Sequence, residues 1–433
     1  MKLILGMGLT GLSVARFFAL NDISYRIADS RVSPPMLECF AAEGLDEGVQ
    51  LGAWREDLLQ GVEEIVVSPG IATSESIIGW AVKKSIALIS DIELFSRYAG
   101  APIIGISGSN GKSTVTQLVG EMSIAAGNQT AICGNIGTPV MDALADDVDL
   151  YVLELSSYQL DYTNSLNLLA GLVLNITPDH LDRYPDFDAY IASKISLYKH
   201  SRYKVVNLDE KATSDVAWDS CFGLSFNDPM AEFRVEVEHG VSTFFNKEIS
   251  LFSGQDLRVV GQHNMSNILA ALTLGHISGL PIKSMVEAII NFTGLPHRLE
   301  WVTKLEGVDF FNDSKSTNAI STITAINALS EYYSSLVLIV GGIAKKEDYC
   351  EMFELIGEKA DAVVLIGEAS QAFSSRISNC IVEVASSMEE AVSLAKCYTA
   401  NGAILLSPAC ASFDMYKDFG ERGDDFKRLL LVQ

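Results

Sequence analysis

The sequence IIGISGSNGKST, residues 103–114, joins an apolar, strand-like run to a glycine-rich turn, and a helical pattern follows over residues 113–125. Glycines allow backbone N–H groups to wrap around phosphate oxygens, and the N-terminus of the following helix adds positive potential. The pattern predicts that Lys112 reaches the β- and γ-phosphates of a nucleotide and that Ser113 or Thr114 ligates Mg²⁺. Ile106 stands where the strict pattern G-x-x-x-x-G-K-S/T has its first glycine, so an ordinary glycine turn capping a helix is the alternative. The predicted phosphate-binding residues are Gly108, Asn110, Gly111, Lys112, Ser113 and Thr114.

Acidic and polar residues follow the next two strand-like runs. Leu150–Leu155 supplies Glu154, and Leu172–Asn175 leads to Asp179 and His180. Parallel strands end at one edge of a sheet, where such folds bind their ligands, and Mg²⁺ prefers oxygen ligands. A lone glutamate at a strand end is more often a helix cap or a solvated loop residue. Beside the glycine-rich turn, these residues predict a catalytic metal site.

Short apolar runs alternate with amphipathic helical patterns along most of the chain, which is typical of parallel sheets buried on both faces. Further predicted strands are Leu3–Leu5, Tyr25–Ala28, Ile65–Val67, Ile103–Ile106, Leu336–Val340, Val363–Ile366 and Ala403–Leu406. Predicted helices include Leu12–Leu20, Ser113–Ala125, Tyr190–Lys199 and Ala319–Leu329. Cys221–Gly261 alternates in short bursts with glycine breaks, which predicts antiparallel hairpins at a sheet edge. The predicted fold class is α/β, in three domains.

Composition restricts the classes of partner. The chain has 433 residues, with 31 Lys and Arg against 55 Asp and Glu, for a formal net charge of −24. This acidity argues against general affinity for nucleic acid or anionic membrane, since both require basic surface. Seven scattered cysteines without a C-x-x-C pair indicate a reducing compartment and no zinc site. No run of about 18 apolar residues occurs, so we predict no membrane span and a cytoplasmic location.

A second glycine pattern lies at the N-terminus. Gly6-Met-Gly8-Leu-Thr-Gly11 with Asp29 fits the dinucleotide pattern G-x-G-x-x-G plus an acidic residue about 20 positions on. Taken alone, it predicts an NAD-dependent oxidoreductase, which would leave the GKST turn and Glu154 without a role. A non-catalytic nucleotide-binding protein of the same fold is a second alternative.

Eleven motifs in order along the chain resemble the Mur ligases. They are GMGLTGLS (6–13), SPGI (68–71), GISGSNGKST (105–114), GNIG (134–137), ELSSYQL (154–160), NITPDHLDRYP (175–185), YIASKISLY (190–198), GQHNMSNILAA (261–271), LPHR (295–298), NDSKSTN (312–318) and SPACASFDMYKDFGERGDDF (407–426). The tenth motif and the start of the eleventh are similar to the branch of the family that adds D-glutamate. The resemblance covers essentially the whole chain.

The resemblance implies three domains and a two-step reaction. Residues 1–91 would bind a uridine nucleotide, 92–294 would bind ATP, and 295–433 would form a Rossmann-like amino-acid domain. The carboxylate of UDP-N-acetylmuramoyl-L-alanine would attack ATP to give an acyl phosphate, and D-glutamate would displace phosphate. The implied role is peptidoglycan precursor synthesis, and thus cell shape and division. The implied cofactors are ATP and Mg²⁺ at two sites, the implied partners are these small molecules, and the expected state is a monomer.

Carried over position by position, the resemblance implies roles around the phosphates. Lys112 matches the phosphate lysine, Ser113 and Glu154 match ligands of one Mg²⁺, and His180 and Lys194 match the second metal site. In the family, the lysine matching Lys194 is carbamylated by CO₂, which turns a cation into an anionic oxygen ligand. From the residues alone, Lys194 would be a lysine on the solvated face of an amphipathic helix.

The resemblance implies four further groups of contacts. ATP would be surrounded by Asn264, Asn267, His297, Arg298 and Asp313. Uracil and diphosphate would be bound by Leu9, Thr10, Asp29, Ser30 and Arg31, with Ser68 and Gly70 closing the other side. The muramoyl-alanine end would be lined by Asn135, Ser156, Gln159 and His180. D-Glutamate would be bound by Lys315, Thr317, Lys345, Ser412 and Phe419.

Several of these assignments have simpler alternatives. Asn264 and Asn267 could cap a helix, and Arg298 with Asp313 could form a surface ion pair.

The residues matched to D-glutamate binding include two lysines and several hydroxyls. These groups suit a dicarboxylate, since each carboxylate needs donors and counter-charge. GGIAK (341–345) departs from the family's pattern, which has an acidic residue and a glycine before the lysine, and Lys346 follows directly. Which of the two lysines faces the ligand therefore stays open.

Overall fold

The first sheet of the protein is parallel and carries the N-terminal glycine pattern. The computed structural model describes residues 1–177, 183–214, 221–226, 231–238, 241–259, 261–345 and 347–431. Five strands of the first sheet run in the order β3-β2-β1-β4-β5, and all of their pairings are parallel. The elements are β1 (Lys2–Leu5), α1 (Leu9–Leu20), β2 (Tyr25–Asp29), α2 (Leu37–Ala42), β3 (Val49–Leu51), β4 (Glu64–Val67), α3 (Ser76–Lys83), β5 (Ala87–Ile89) and α4 (Asp91–Ser96).

The glycines between β1 and α1 are required by close backbone approach. A Cβ on Gly11 would lie 1.9 Å from the Gly6 carbonyl oxygen, so no side chain fits there. Gly6 itself has φ +100°, a backbone conformation that L-residues rarely adopt. The first helix therefore starts directly over the end of β1, and its first turn borders the cavity described below.

The second sheet carries the phosphate loop on a central strand. Its described strands run in the order β11-β10-β9-β6-β8-β7, and all of their pairings are parallel. The elements are β6 (Ile103–Ser107), α5 (Lys112–Ala125), β7 (Thr130–Gly134), β8 (Leu150–Glu154), α6 (Ser157–Leu160), β9 (Leu168–Val173), α7 (Phe187–Ile195), β10 (Ser201–Asn207), α8 (Lys211–Ser214) and β11 (Cys221–Leu224).

Two of the sequence predictions for this region were partly wrong. The strand predicted at Leu172–Asn175 is β9, which begins at Leu168 and ends at Val173, so Asn175 lies in the loop after it. The helix predicted at Tyr190–Lys199 begins earlier, as α7, and its last turn is a 3₁₀ helix over Ser196–His200. Both errors concern boundaries, where local pattern is least informative.

The antiparallel region forms a sheet of its own. The strands β12 (Phe233–Glu238), β13 (Val241–Asn246) and β14 (Ile249–Ser253) pair in that order, and both pairings are antiparallel. The prediction of antiparallel hairpins was right about the direction of strand pairing. It was wrong in placing them at the edge of another sheet. Cys221–Leu224, at the start of the predicted stretch Cys221–Gly261, is instead the parallel edge strand β11 of the second sheet.

The third sheet is parallel except at one end. After α9 (Gln262–Ile277) and α10 (Ile282–Asn291), its described strands run in the order β15-β16-β20-β17-β18-β19. Only the β15–β16 pairing is antiparallel among these described strands, and the sequence did not reveal it. The elements are β15 (Glu300–Leu305), β16 (Val308–Asn312), α11 (Ala319–Ser330), β17 (Leu336–Gly341), α12 (Cys350–Lys359), β18 (Ala362–Ile366), α13 (Ser370–Ser374), β19 (Ile381–Val384), α14 (Met388–Lys396), β20 (Ala403–Leu406) and α15 (Phe419–Leu431).

The cores lie between these sheets and their helices. Every residue of β6, β8, β17, β18 and β20 is buried, which explains why parallel strands appear as continuous apolar runs.

The chain divides into two compact units. One consists of residues 1–255 with 266–289, and the other of residues 256–265 with 290–433. Domain boundaries at residues 91 and 294 remain a prediction. Within the described residues, no helix combines the length and apolar character needed to cross a bilayer.

Candidate active site

The phosphate loop lies between β6 and α5 and has the backbone geometry that its glycines predict. Gly108 has φ +143° and Gly111 has φ +83°, and α5 begins at Lys112. The Lys112 ammonium donates to the carbonyl oxygens of Gly108 at 2.8 Å and Ser109 at 2.9 Å. The lysine is therefore folded over the loop whose N–H groups would face phosphate.

A buried carboxylate on the adjacent strand faces this loop. Glu154, 3% exposed, accepts a hydrogen bond from the Ser113 hydroxyl at 2.6 Å and from the Asn135 amide at 2.8 Å. Gly134 allows the close approach, because a Cβ there would lie 2.3 Å from the Glu154 carbonyl oxygen. The structure thus brings together two predicted metal ligands, Ser113 and Glu154, and the predicted substrate residue Asn135.

This donor set fits Mg²⁺. Mg²⁺ takes hard oxygen ligands, usually one or two from protein groups, with water and substrate phosphates completing the shell. The Glu154 carboxylate is buried between neutral donors, Ser113 and Asn135, so a cation would compensate its charge. Among the residues that the structure describes, no group of three or more His, Cys, Asp and Glu side chains could hold a metal.

Lys194 lies at the same loop. Its side chain is only 3% exposed, and its ammonium donates to the Gly108 carbonyl at 2.8 Å and lies 4.8 Å from the centre of the Tyr190 ring. The solvated-face alternative is therefore wrong for this residue. The Tyr190 hydroxyl is 3.2 Å from that of Ser109, so α7 contacts the phosphate loop through two side chains.

The loop after β9 contributes a residue that sequence reasoning missed. The Asn175 amide donates to the Asn110 carbonyl at 3.0 Å and its oxygen accepts from the Asn110 N–H at 2.8 Å. This pair fixes the tip of the phosphate loop. The signal available was the position of Asn175 at the start of the NITPDH motif. His180, in the same motif, lies outside the described residues, as does Lys346.

A cavity of about 480 Å³ lies beside this site, between the first and second sheets. It is lined by most of the residues predicted to bind the uridine nucleotide and the muramoyl-alanine end: Leu9, Thr10, Asp29, Ser30, Arg31, Ser68, Gly70, Asn135 and Gln159. Ser156 is not among the described residues that line it, and its hydroxyl instead caps α6 by accepting from the Gln159 N–H. Asn135 connects the cavity with the phosphate loop because it also donates to Glu154.

Asp29 organises the mouth of this cavity. Its carboxylate accepts from the Met7 N–H at 2.7 Å and from the Arg31 guanidinium at 2.6 and 2.8 Å. Burial acts to raise the pKa of Asp29, but these hydrogen bonds outweigh it and hold the pKa below its usual value. The carboxylate therefore fixes the glycine loop and Arg31 in place.

Gln159 is fixed by a buried carboxylate that the sequence did not single out. Its amide nitrogen donates to both oxygens of Asp91, at 3.1 and 3.2 Å, while its oxygen accepts from Ser156. Burial raises the pKa of Asp91 to about 6. Asp91 is 68 residues away in sequence, which explains why local pattern did not reveal the pair.

Residues predicted to contact ATP are found in both compact units. Asn267 lies against the phosphate loop, since a Cβ on Gly111 would be 2.5 Å from its side-chain oxygen. Asn264 lies in the first turn of α9, where its N–H donates to the Gly261 carbonyl. In the second unit, Asp313 is 6% exposed and accepts from the hydroxyls of Ser316 and Ser407. Burial raises the pKa of Asp313 to about 6, while the charge of Arg298 acts to lower it. The pairing proposed for Asp313 and Arg298 therefore does not lie at the surface.

The second unit also brings together three of the sequence motifs. The His297 ring contacts the Asn312 amide at 3.0 Å and packs edge-on against Phe419, with 6.1 Å between ring centres. The Lys315 ammonium lies 5.2 Å from the centre of the same Phe419 ring. The predicted histidine, lysine and phenylalanine thus form one cluster.

The remaining predicted glutamate ligands lie in the same unit. The Lys345 ammonium donates to the Thr317 hydroxyl at 3.2 Å, and Ser412 is 3% exposed. A residue that sequence reasoning missed, Arg422, is 1% exposed and donates to Ser314 and to the Cys410 carbonyl. Burial lowers the pKa of Arg422 to about 10. This buried guanidinium joins the NDSKSTN and SPACAS segments.

A phosphate loop between a buried strand and a helix, with a buried carboxylate on the adjacent strand, defines a nucleotide-binding α/β enzyme. Family descriptions match along the chain: "Mur ligase MurD-like, N-terminal domain" at residues 1–90, "Mur ligase middle domain" at 106–275 and "Mur ligase, glutamate ligase domain" at 297–410. A relative from Marinobacter nauticus, named UDP-N-acetylmuramoylalanine--D-glutamate ligase, is 43% identical over 99% of this chain and 97% of its own length. The chain belongs to the Mur ligase family, which sets aside the oxidoreductase alternative.

Further comparisons agree with this assignment. A relative of the same name from Nitrosococcus oceani is 42% identical over 99% of this chain and 95% of its own length. The solved structure of UDP-N-acetylmuramate-alanine ligase from Thermotoga maritima is 15% identical, with a TM-score of 0.57. That alignment covers 100% of this chain and 99% of the other, and it supports the fold alone.

Proposed function

We propose that this protein joins D-glutamate to the alanyl carboxylate of UDP-N-acetylmuramoyl-L-alanine, with conversion of ATP to ADP and phosphate, in peptidoglycan precursor synthesis. The observation that carries the proposal is the position of Asn135. Asn135 lines the 480 Å³ cavity and donates to Glu154, which in turn accepts from Ser113 of the phosphate loop. A carboxylate at the inner end of a nucleotide held in this cavity would therefore meet the γ-phosphate.

The chemistry follows from the weakness of a carboxylate as an acyl donor. In the first step, a carboxylate oxygen bonds to the γ-phosphorus of ATP and the bond to the β-phosphate oxygen breaks, which releases ADP. In the second step, the amine of D-glutamate bonds to the acyl carbon, phosphate leaves with the former carboxylate oxygen, and the amine loses a proton. Positioning and charge neutralisation supply most of the catalysis in such transfers.

The chain's own groups would supply that positioning. The phosphate-loop N–H groups and Lys112 would hold the phosphates, and Ser113 with Glu154 would hold one Mg²⁺. When bound, Mg²⁺ neutralises charge on the phosphate oxygens. We further propose that His180 and Lys194, the latter as a carbamate, hold a second Mg²⁺. The burial of Lys194 beside Gly108 supports this, because it puts the modified atom next to the phosphate loop.

The remaining predicted contacts are those to the adenosine of ATP and to D-glutamate. We propose that His297, Arg298 and Asp313, with Asn264 and Asn267 of α9, surround the adenosine. D-Glutamate would be bound by Lys315, Thr317, Lys345, Ser412 and Phe419, which supply two ammonium groups for its two carboxylates. We also propose that the protein acts in the cytoplasm, as a monomer, on these small molecules.

Phosphate release under substrate omission tests the proposal. We expect release to require ATP, Mg²⁺, UDP-N-acetylmuramoyl-L-alanine and D-glutamate together, and to fall to background when any one is left out. A panel of L- and D-amino acids tests the acceptor, and D-glutamate should give the fastest release. Release that does not depend on the uridine nucleotide would favour a regulatory NTPase role, and a faster rate with another amino acid would overturn the acceptor assignment.

A further inference from the structure

We propose that Arg183 is a positioning residue that sets the width of the nucleotide cavity and thereby the affinity for substrates that span it. The inference rests on the proposed function for the identity of the ligand. Arg183 is not in direct contact with the cavity; it acts through the two walls that it joins.

The contacts of Arg183 go to both sides of the cavity. Its guanidinium donates to the carbonyl of Pro69 at 2.6 Å and also to the carbonyl of Ile71. The carbon of the guanidinium lies 3.7 Å from the centre of the Tyr158 ring, so its face stacks on that ring. One planar group therefore connects the loop after β4 with the helix α6.

One partner of Arg183 lies in a cavity wall, and the other is next to a residue of the opposite wall. The loop Ser68–Ile71 lines the cavity on the side of the first sheet. Tyr158 is the residue before Gln159, which lines the cavity on the side of the second sheet. The distance between the walls thus depends on Arg183, which comes from a segment 112 and more residues away from the loop.

The chemistry of this contact is specific to arginine. A guanidinium offers several donors in a fixed plane and can stack on an aromatic ring at the same time. A lysine ammonium is a compact point charge that cannot reproduce two divergent N–H bonds and a stacked face together. Within the described part of the chain, the Arg183 Nε is buried without a hydrogen-bond partner. That arrangement costs stability, so replacement by an apolar side chain need not unfold the protein.

Two ligands separate a positioning role from a general structural one. Uridine diphosphate would contact residues on the side of the first sheet only, which are Leu9, Thr10, Asp29–Arg31, Ser68 and Gly70. The Ser68 N–H donates to the Leu5 carbonyl at 3.0 Å, which holds that loop to the first sheet independently of Arg183. UDP-N-acetylmuramoyl-L-alanine would also reach Asn135 and Gln159 on the opposite wall. A change in the width of the cavity should weaken the spanning ligand and leave the short ligand largely unaffected.

The test measures dissociation constants by calorimetry without ATP, in the full-length protein. For Arg183→Met we expect the constant for UDP-N-acetylmuramoyl-L-alanine to rise at least about tenfold, because binding must then also bring the two walls to their bound separation. The constant for uridine diphosphate should change less than about threefold, since its wall is intact. Arg183→Lys should recover part of the loss. Tyr158→Phe, which keeps the ring, should be weakened less than Tyr158→Leu, which removes it.

Arg202→Met is the matched control, because it also removes a guanidinium from a tyrosine ring. The carbon of the Arg202 guanidinium lies 5.2 Å from the centre of the Tyr203 ring, and both residues belong to β10. It should bind both ligands normally. In turnover assays, Arg183→Met should raise KM for the uridine nucleotide and leave kcat at saturation nearly unchanged.

Each outcome decides a separate question. If the wild type bound neither ligand, the proposed function itself would fail. If the wild type bound both and Arg183→Met bound both equally well, the positioning role would be overturned. Equal weakening of both ligands, or a loss of kcat at saturation, would also overturn it, because the residue would then act on the fold or on the chemistry.

Discussion

The Glu154 side chain shows how single residues define this site. Its two oxygens are held by a hydroxyl and an amide, from Ser113 and Asn135, and neither partner neutralises its charge. A bound cation would compensate the charge of a carboxylate that is buried between neutral donors. Substitutions that remove a charge at this site should therefore have large effects.

Lys112→Ala tests the phosphate lysine. We expect kcat to fall at least about a thousandfold, because the ammonium compensates charge on the transferred phosphoryl group. Phosphate release measures the rate, and circular dichroism should show an unchanged fold. Lys199→Ala is the control and should remain active, because Lys199 is an exposed lysine of the 3₁₀ helix Ser196–His200. Equal turnover in Lys112→Ala and wild type would refute the assignment.

Lys194→Ala tests carbamylation. We expect loss of activity that added acetate or formate partly restores, because a small carboxylate can occupy the place of the missing carbamate oxygens. Lys112→Ala should not respond to the same acids, since it lacks a cation and not an anion. Absence of rescue at every concentration would count against a carbamate at the metal site.

Asp91→Asn tests the cost of a buried charge. The pKa of Asp91 is raised from 3.8 to about 6, so the folded state holds this proton more tightly than the unfolded state. The associated stability is present below the unfolded pKa and is lost as pH rises through about 6. At 1.36 kcal/mol per pKa unit the whole effect is about 3 kcal/mol. We expect the free energy of unfolding of Asp91→Asn, relative to wild type, to rise by about 2 kcal/mol of this between pH 4 and 7. Urea unfolding at several pH values measures it, and a difference independent of pH would contradict the raised pKa.

Sequence reasoning found the residues that end strands or open helices, and it missed their distant partners. Lys112 and Glu154 follow buried apolar runs, so their place at a sheet edge could be predicted. Asp91 and Asn175 were missed because their partners lie 68 and 65 residues away, and no local period encodes such pairs. Arg183 and Arg422 stood inside quoted motifs, but their roles depend on contacts that only the fold creates.

At the scale of elements, parallel strands were predicted more reliably than their surroundings. Continuous burial gives β6, β17 and β18 an unbroken apolar run, whereas the edge strands β3, β11 and β19 are short and partly exposed. The same reason explains why β15 was not predicted. Half-exposed strands carry a weaker signal than buried ones.

Gly134→Ala tests the close packing of β7 against β8. The new Cβ would lie 2.3 Å from the Glu154 carbonyl oxygen and the residue has φ +114°. Gly127 has φ +93° with no atom within 4 Å, so Gly127→Ala imposes backbone strain without the clash. We expect Gly127→Ala to cost about 1 kcal/mol and Gly134→Ala clearly more, since strain and overpacking add. Unfolding and turnover measure both, and equal effects in the two variants would contradict the close-approach interpretation.

At the scale of the whole molecule, three parallel or mostly parallel sheets each present loops at the carboxyl ends of their strands, as the α/β fold class predicts. The first two sheets lie in one compact unit and enclose the cavity, and the third sheet forms the other unit with the His297–Phe419 cluster. The net charge of −24 means that anionic substrates must be held by a few placed donors and cations. The site residues named above supply those donors.

The fate of the carboxylate oxygen shows whether the substrate carboxylate attacks ATP. UDP-N-acetylmuramoyl-L-alanine labelled with ¹⁸O in its alanyl carboxylate is turned over with ATP and D-glutamate, and the released phosphate is examined by mass spectrometry. Because the carboxylate oxygen becomes the bridge to phosphorus and leaves with it, we predict one labelled oxygen in each phosphate. Phosphate that carries no label, although the amide product forms, would contradict the acyl-phosphate route and the adjacency of cavity and phosphate loop on which it depends.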